Sequence, residues 1–108
     1  MASLSLLSED GVTAERWELD RPLAVGRDPT ADVIVDDAAL SRRHFLIIPD
    51  NEGYLLKDLG SQNGTFVDGQ RAKSTRLHHH DCILAGRTLF MFSDQLAAGA
   101  STSLSEAA

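Results

Sequence analysis

Residues 59–69 read LGSQNGTFVDG, a polar loop fenced by Gly60 and Gly64 that runs into the short apolar segment Thr65, Phe66 and Val67. Asp68-Gly69 is a hairpin dipeptide, so the stretch reads as loop, strand and turn. Three hydrogen-bonding side chains in succession, Ser61, Gln62 and Asn63, are more than a plain turn requires. What they do depends on what else the chain places at the ends of strands.

The same grammar repeats outward from this loop. Short apolar groups separated by turn residues predict strands over 4–7, 16–19, 23–26, 33–35, 45–48, 54–59, 65–67, 83–85 and 89–92. Trp17 and Leu19 share one face by the two-residue period, and Glu9-Asp10-Gly11 turns the first pair into a hairpin. The connections carry Asp28-Pro29, Asp36-Asp37, Pro49-Asp50-Asn51, Asn63-Gly64 and Gly86, residue types that impose or tolerate turn geometry. No window of helical length shows an apolar stripe at spacings of three and four. The class is all-β, and many short strands at this spacing predict a sandwich or barrel.

With 108 residues and 43% hydrophobic content, the chain supports one domain with a single core. A formal charge of -6 argues against a surface that tracks nucleic-acid phosphates. Cys82 has no second cysteine to pair with, which suits a reducing compartment. No apolar run reaches the length of a membrane span, and Ser3 and Ser5 interrupt the opening leucines, unlike a secretory signal. A cytoplasmic protein is expected, with neither a nucleic-acid nor a membrane partner. The domain is expected over 1–94. Residues 95–108, rich in Ala and Ser, read as a flexible tail or linker.

Three segments hold residues that make sense together: Gly26-Arg27, Ser41-Arg42-Arg43-His44, and Gly60 through Thr65. Each lies at a strand end, and in a sandwich such ends converge. Arg27, the Ser41 hydroxyl, an arginine of the 42–43 pair, and the amides of Gln62 and Asn63 can all donate hydrogen bonds. A compact multi-oxygen anion such as a phosphate is the acceptor that suits this ring. Glycines at 26, 60 and 64 would bring backbone N–H groups close to it.

The GR pair at 26–27, SRRH at 41–44 and LGSQNGTFVDG at 59–69, in this order and at these separations, resemble the forkhead-associated (FHA) domain family. The likeness covers about residues 3 to 93. It implies an eleven-stranded β-sandwich of the FHA/SMAD-like kind, whose loops at one end bind phosphothreonine in a partner protein. By position, the resemblance implies that Arg27 and Ser41 bond the phosphate, with Gln62 beside it. Asn63 would bond the peptide main chain just after the phosphothreonine, and Arg42 is the member of its pair that faces the ligand. Gly26, His44, Gly60, Gly64 and Thr65 match positions that hold the loops in shape. The glutamine at 62 departs from the small residue common in the family and could shift the phosphate or read a flanking residue. The implied partner is a phosphothreonine-containing protein or peptide, with an upstream Ser/Thr kinase, and the domain is expected to be a monomer.

Other chemistries fit less well. In an extended backbone His78, His80 and Cys82 would share a face, but metal ligands usually come from separated segments, and Cys82 reads as a small core residue at a strand entry. No metal or other cofactor is expected. Ser41 and His44 lack an indicated third partner, GSQNG is not a nucleophile elbow, and no Walker-type lysine follows the glycine-rich loop. No enzyme activity is expected. The competing class is a phosphate-independent scaffolding or assembly domain of the same fold, working through a sheet face.

Overall fold

The computed structural model describes residues 2–8 and 10–94, so the expected tail or linker at 95–108 lies outside the described residues. Eleven strands follow in chain order: β1 (Ala2–Leu7), β2 (Thr13–Glu18), β3 (Leu23–Gly26), β4 (Val33–Ile34), β5 (Phe45–Asp50), β6 (Gly53–Asp58), β7 (Thr65–Val67), β8 (Gln70–Arg71), β9 (Ser74–Arg76), β10 (Cys82–Ala85) and β11 (Thr88–Asp94). They form two sheets, one ordered β2-β1-β11-β10-β7-β8 and the other β4-β3-β5-β6-β9. Among the described residues no helix is long and apolar enough to cross a membrane.

Alternation along the strands builds the core. Phe45 and Ile47 point inward from β5, Ile83 and Ala85 from β10, and Phe90 and Phe92 from β11, all fully buried. The rings of Phe45 and Phe90 meet edge to face across the two sheets, their centroids 5.6 Å apart, while Tyr54 tilts against Phe92 at 5.3 Å. Such pairs add about 0.5–1.5 kcal/mol to the burial of the rings themselves. The alternation also corrects the expectation for Cys82. Ile83 occupies the core face of β10, so Cys82 lies on the opposite face, half-buried and outside the core.

Registers place the loops. Val25 pairs with Phe45, Phe45 with Asp58, and Ala85 with Thr65, so β3 ends, β5 begins, β6 ends, β7 begins and β10 ends at one edge of the sandwich. The β3–β4, β4–β5, β6–β7 and β10–β11 connections therefore share that edge. Asp37 is one carboxylate that ties the two sheets there. Asp37 Oδ2 in the β4–β5 loop accepts from the Arg87 N–H and the Thr88 hydroxyl, each at 2.7 Å, while its Oδ1 accepts from the Ala39 N–H at 2.9 Å. Partial burial works against its charge, yet the bonds from Thr88, Arg87 and Ala39 prevail and hold its pKa below the usual carboxylate range.

Strands β8 and β9 lie between two segments that the sequence pattern identifies, and they escape that pattern for a physical reason. Each is the outermost strand of its sheet, and its residues are exposed or half-buried, so backbone pairing rather than an apolar face holds it. Register pairs join Phe66 to Arg71 and Leu55 to Arg76. The turn between β7 and β8 is the expected Asp68-Gly69, with both residues at positive φ.

Candidate functional site

The end of β3 runs directly against the β4–β5 loop. A Cβ on Gly26 would lie 2.0 Å from the Arg42 carbonyl oxygen, so only glycine permits the approach. The backbone then continues in step: the Arg27 N–H donates to Ser41 O at 3.2 Å and the Asp28 N–H to Arg42 O at 3.0 Å. Arg27 folds its Nε onto the Leu40 carbonyl at 2.5 Å. This aims the guanidinium along the loop, and its Nη groups make no hydrogen bond or ion pair among the described residues. They remain available as a fork for an oxyanion.

His44 is the bolt behind this surface. It is fully buried, and its Nδ1 accepts the Ser41 N–H at 3.0 Å. The ring proton consequently sits on Nε2, which donates to the Gly64 carbonyl at 2.8 Å. One ring thus locks the β4–β5 loop to the β6–β7 loop, twenty residues away in sequence. Two further bonds repeat the link: the Gln62 N–H donates to Ser41 Oγ at 3.0 Å, and Asn63 Nδ2 donates to Ala39 O at 2.8 Å. With its oxygen accepting from Gln62, the Ser41 hydroxyl keeps its own hydrogen to offer outward. Residues 39–41 are accordingly held from three directions, by Arg27, by His44 and by the amides of 62 and 63.

Asp58 is a structural residue that sequence reasoning missed. At the end of β6 its Oδ1 accepts from Ser61 Oγ at 2.5 Å and Thr65 Oγ1 at 2.7 Å, and its Oδ2 from the N–H groups of Gly60 and Ser61 at 3.0 Å each. This carboxylate curls the loop that presents Gln62 and Asn63, and it explains why Thr65, fully buried, needs a hydroxyl. Partial burial opposes its charge, but the Ser61 and Thr65 hydroxyls and the two N–H groups outweigh that cost and depress its pKa. The signal in the sequence was an aspartate two residues before a glycine at a strand end, the pattern of an Asx turn.

Electrostatics at this edge run against the overall charge. Arg27, Arg42 and Arg43 are all exposed, and the side chains of Arg42 and Arg43 make no hydrogen bond or ion pair among the described residues. Asp28, beside them, is committed to the Thr30 N–H and hydroxyl, both at 2.8 Å. Those bonds first, and the two arginines after them, lower its pKa.

The candidate metal ligands are not brought together. His80 has φ of 70°, so the chain turns there instead of extending, and the shared face of 78, 80 and 82 does not form. His79 uses Nδ1 to accept the Asp94 N–H at 2.9 Å. Among the described residues no group of three or more His, Cys, Asp or Glu side chains is placed to hold a metal ion.

Known proteins share the sequence pattern and the fold. The FHA domain family model matches residues 23–86. The chain is 36% identical over 78 residues to an oxoglutarate dehydrogenase inhibitor of Corynebacterium jeikeium, an alignment that covers 71% of this chain and 54% of that protein. The chain spans about half the length of the curated inhibitors and regulators it matches. Among solved structures, the FHA domain of the CT664 protein from Chlamydia trachomatis superposes with a TM-score of 0.79 at 34% identity, covering 86% of this chain and 96% of that one. A structure from a study of phosphothreonine-dependent FHA domain interactions superposes with a TM-score of 0.78 at 29% identity, covering 86% and 95%.

Proposed function

Because the chain belongs to the FHA family, we propose that it is a phosphothreonine-dependent protein-protein interaction module whose ligand sits on the edge formed by the β3–β4, β4–β5 and β6–β7 loops. The observation that carries the reading is the convergence of Arg27, Ser41 and Asn63 on one three-residue stretch, 39–41. Arg27 supplies the charged fork and Ser41 an outward hydroxyl hydrogen. Arg42 adds a second cation, and Gln62 flanks the phosphate. Asn63, braced through Nδ2, keeps its carboxamide oxygen for a main-chain N–H of the peptide. Gly26, His44, Gly60, Gly64 and Thr65 shape the loops without touching the ligand.

The arrangement suits phosphothreonine energetically. The group carries about 1.5 to 2 negative charges at neutral pH, and charge-assisted bonds to it are roughly twice as strong as neutral ones. Because the loops are already tied to one another, ordering them costs little at the moment of binding. The domain acts by binding and not by catalysis, reads the product of an upstream Ser/Thr kinase, and works as a cytoplasmic monomer.

The test is a calorimetric titration of one peptide with and without its phosphate, the sequence being chosen from an oriented phosphothreonine library. Binding of the phosphorylated form alone is expected, weakening as the buffer is taken below the second phosphate ionisation near about pH 6. Equal binding of both forms would favour the phosphate-independent scaffold instead.

A further inference from the structure

Between the two sheets, beside the loop edge, an open groove of about 610 Å³ runs along β8 and β9. Its charges are sorted by position. Arg71 and Lys73 stand at the loop end; Asp68, His78 and Asp81 stand at the far end, where β7 closes and β10 begins. The third cation of the groove, Arg76, is already committed to Asp50 at 2.7 Å. Arg71 and Lys73 are exposed and have no hydrogen bond or ion pair from their side chains among the described residues.

Arg71 joins this groove to the candidate site. A Cβ on Gly64 would lie 3.0 Å from Arg71 Nε and 3.2 Å from its Cζ, so the guanidinium rests on the residue that follows Asn63. The backbone that carries both cations is fixed to site residues on either side. The Ala72 N–H donates to Thr65 O at 2.9 Å, and the Asp58 N–H donates to Lys73 O at 2.9 Å. The backbone of Arg71 and Lys73 is thus tied to the loop beside it, yet no hydrogen bond or ion pair of the described residues uses their charge.

We propose that Arg71 and Lys73 form a second subsite, which receives an acidic side chain of the phosphopeptide in the groove between β8 and β9. The inference rests on the phosphopeptide reading above. An acidic side chain entering from Gly64 meets two uncommitted cations first, and the carboxylates of Asp68 and Asp81 repel it from going further. The groove therefore discriminates by register: an acid at the one peptide position that reaches Arg71 is favoured, and acids elsewhere are not. A chain with a formal charge of -6 offers few other places where an acidic peptide would be welcome.

The experiment walks a single aspartate through the positions flanking the phosphothreonine of an otherwise alanine-rich peptide. Affinities are measured for the wild-type domain and for Arg71→Gln, Arg71→Lys and the Arg71→Gln/Lys73→Gln double variant. In the wild type one position is expected to bind up to about fivefold tighter than the parent peptide, with the gain shrinking at high salt. The ratio of the two affinities should fall to about one in the double variant and survive in part in Arg71→Lys. A merely structural role for Arg71 would weaken both peptides alike and leave the ratio intact, which overturns the proposal. So does a wild-type profile with no favoured position while the parent phosphopeptide binds normally. If the parent itself fails to bind, the phosphopeptide reading falls, and this subsite falls with it.

Discussion

Strand β6 leaves one turn and enters another, and the two are secured by opposite means. At its start, residues 51–52 close on themselves: Asp50 Oδ1 takes the Glu52 N–H at 2.8 Å and a single exposed guanidinium, that of Arg76. At its end, Asp58 organises the loop 59–64 from within, and His44, Ser41 and Ala39 then grip that loop from residues 20 to 24 positions away. Both ends begin with an aspartate whose pKa is depressed by hydrogen bonds, that of Asp50 chiefly by Arg76. The difference lies in what depends on each. The first turn only reverses the chain, whereas the second fixes donors in space relative to another loop.

The second turn depends most heavily on His44. Replacing it by alanine strands a part-buried N–H at Ser41 and a buried carbonyl at Gly64, so His44→Ala should lose about 3 kcal/mol of stability and most phosphopeptide affinity. Urea titration paired with a binding isotherm checks both, and near wild-type values in either would mean that the loops hold without their bolt. Arg27→Ala weighs more on binding than on folding: affinity is expected to drop at least about tenfold, while stability falls by only about 1 kcal/mol for the lost bond to the Leu40 carbonyl. An unchanged isotherm for the folded variant would remove Arg27 from the site.

Asp58→Ala should cost about 1 to 2 kcal/mol, toward the lower end because water reaches the carboxylate. The pH dependence has a definite sign. A carboxylate depressed in the folded state contributes above its unfolded pKa, near about 3.9, and loses that contribution as pH falls through the lower folded value. The stability gap between wild type and Asp58→Ala should therefore be constant above about pH 5 and close in stronger acid. A gap that persists in acid would point to packing rather than charge. The smallest effect belongs to the other turn: Asp50→Ala should leave phosphopeptide affinity unchanged and barely move the melting temperature, as expected for an exposed pair. A marked loss of binding there would erase the contrast between the two ends.

Much of this architecture is legible in the chain because it is written in apolar alternation. Phe45 and Ile47, or Phe90 and Phe92, announce strands and the face they bury. Gln70-Arg71 and Ser74–Arg76 announce nothing, since edge strands pair by backbone and carry whatever side chains the surface allows. The site divides in the same way. Gly26, Arg27, Ser41, His44 and residues 60–65 stand out because unusual residue types recur at strand ends in a recognisable order. Asp58 is hidden inside an apparent strand, and Arg71 acquires meaning only when β8 folds back against Gly64. Cys82 shows the limit of periodicity from the other side. A one-residue difference in phase decides which face a strand entry presents, and the neighbouring Ile83 takes the inward place.

The tie from Asp37 to Arg87 and Thr88 has a consequence for the order in which this molecule can be made. The carboxylate emerges from the ribosome some fifty residues ahead of its partners, and β1, flanked early by β2, waits longer still for its other neighbour β11, the last strand among the described residues. A growing chain that has already synthesised every residue of the proposed site lacks the Asp37 tie across its loop edge until the β10–β11 hairpin closes. Readiness to bind is thereby coupled to completion of the domain, and a half-made copy has no assembled surface with which to compete for phosphorylated targets.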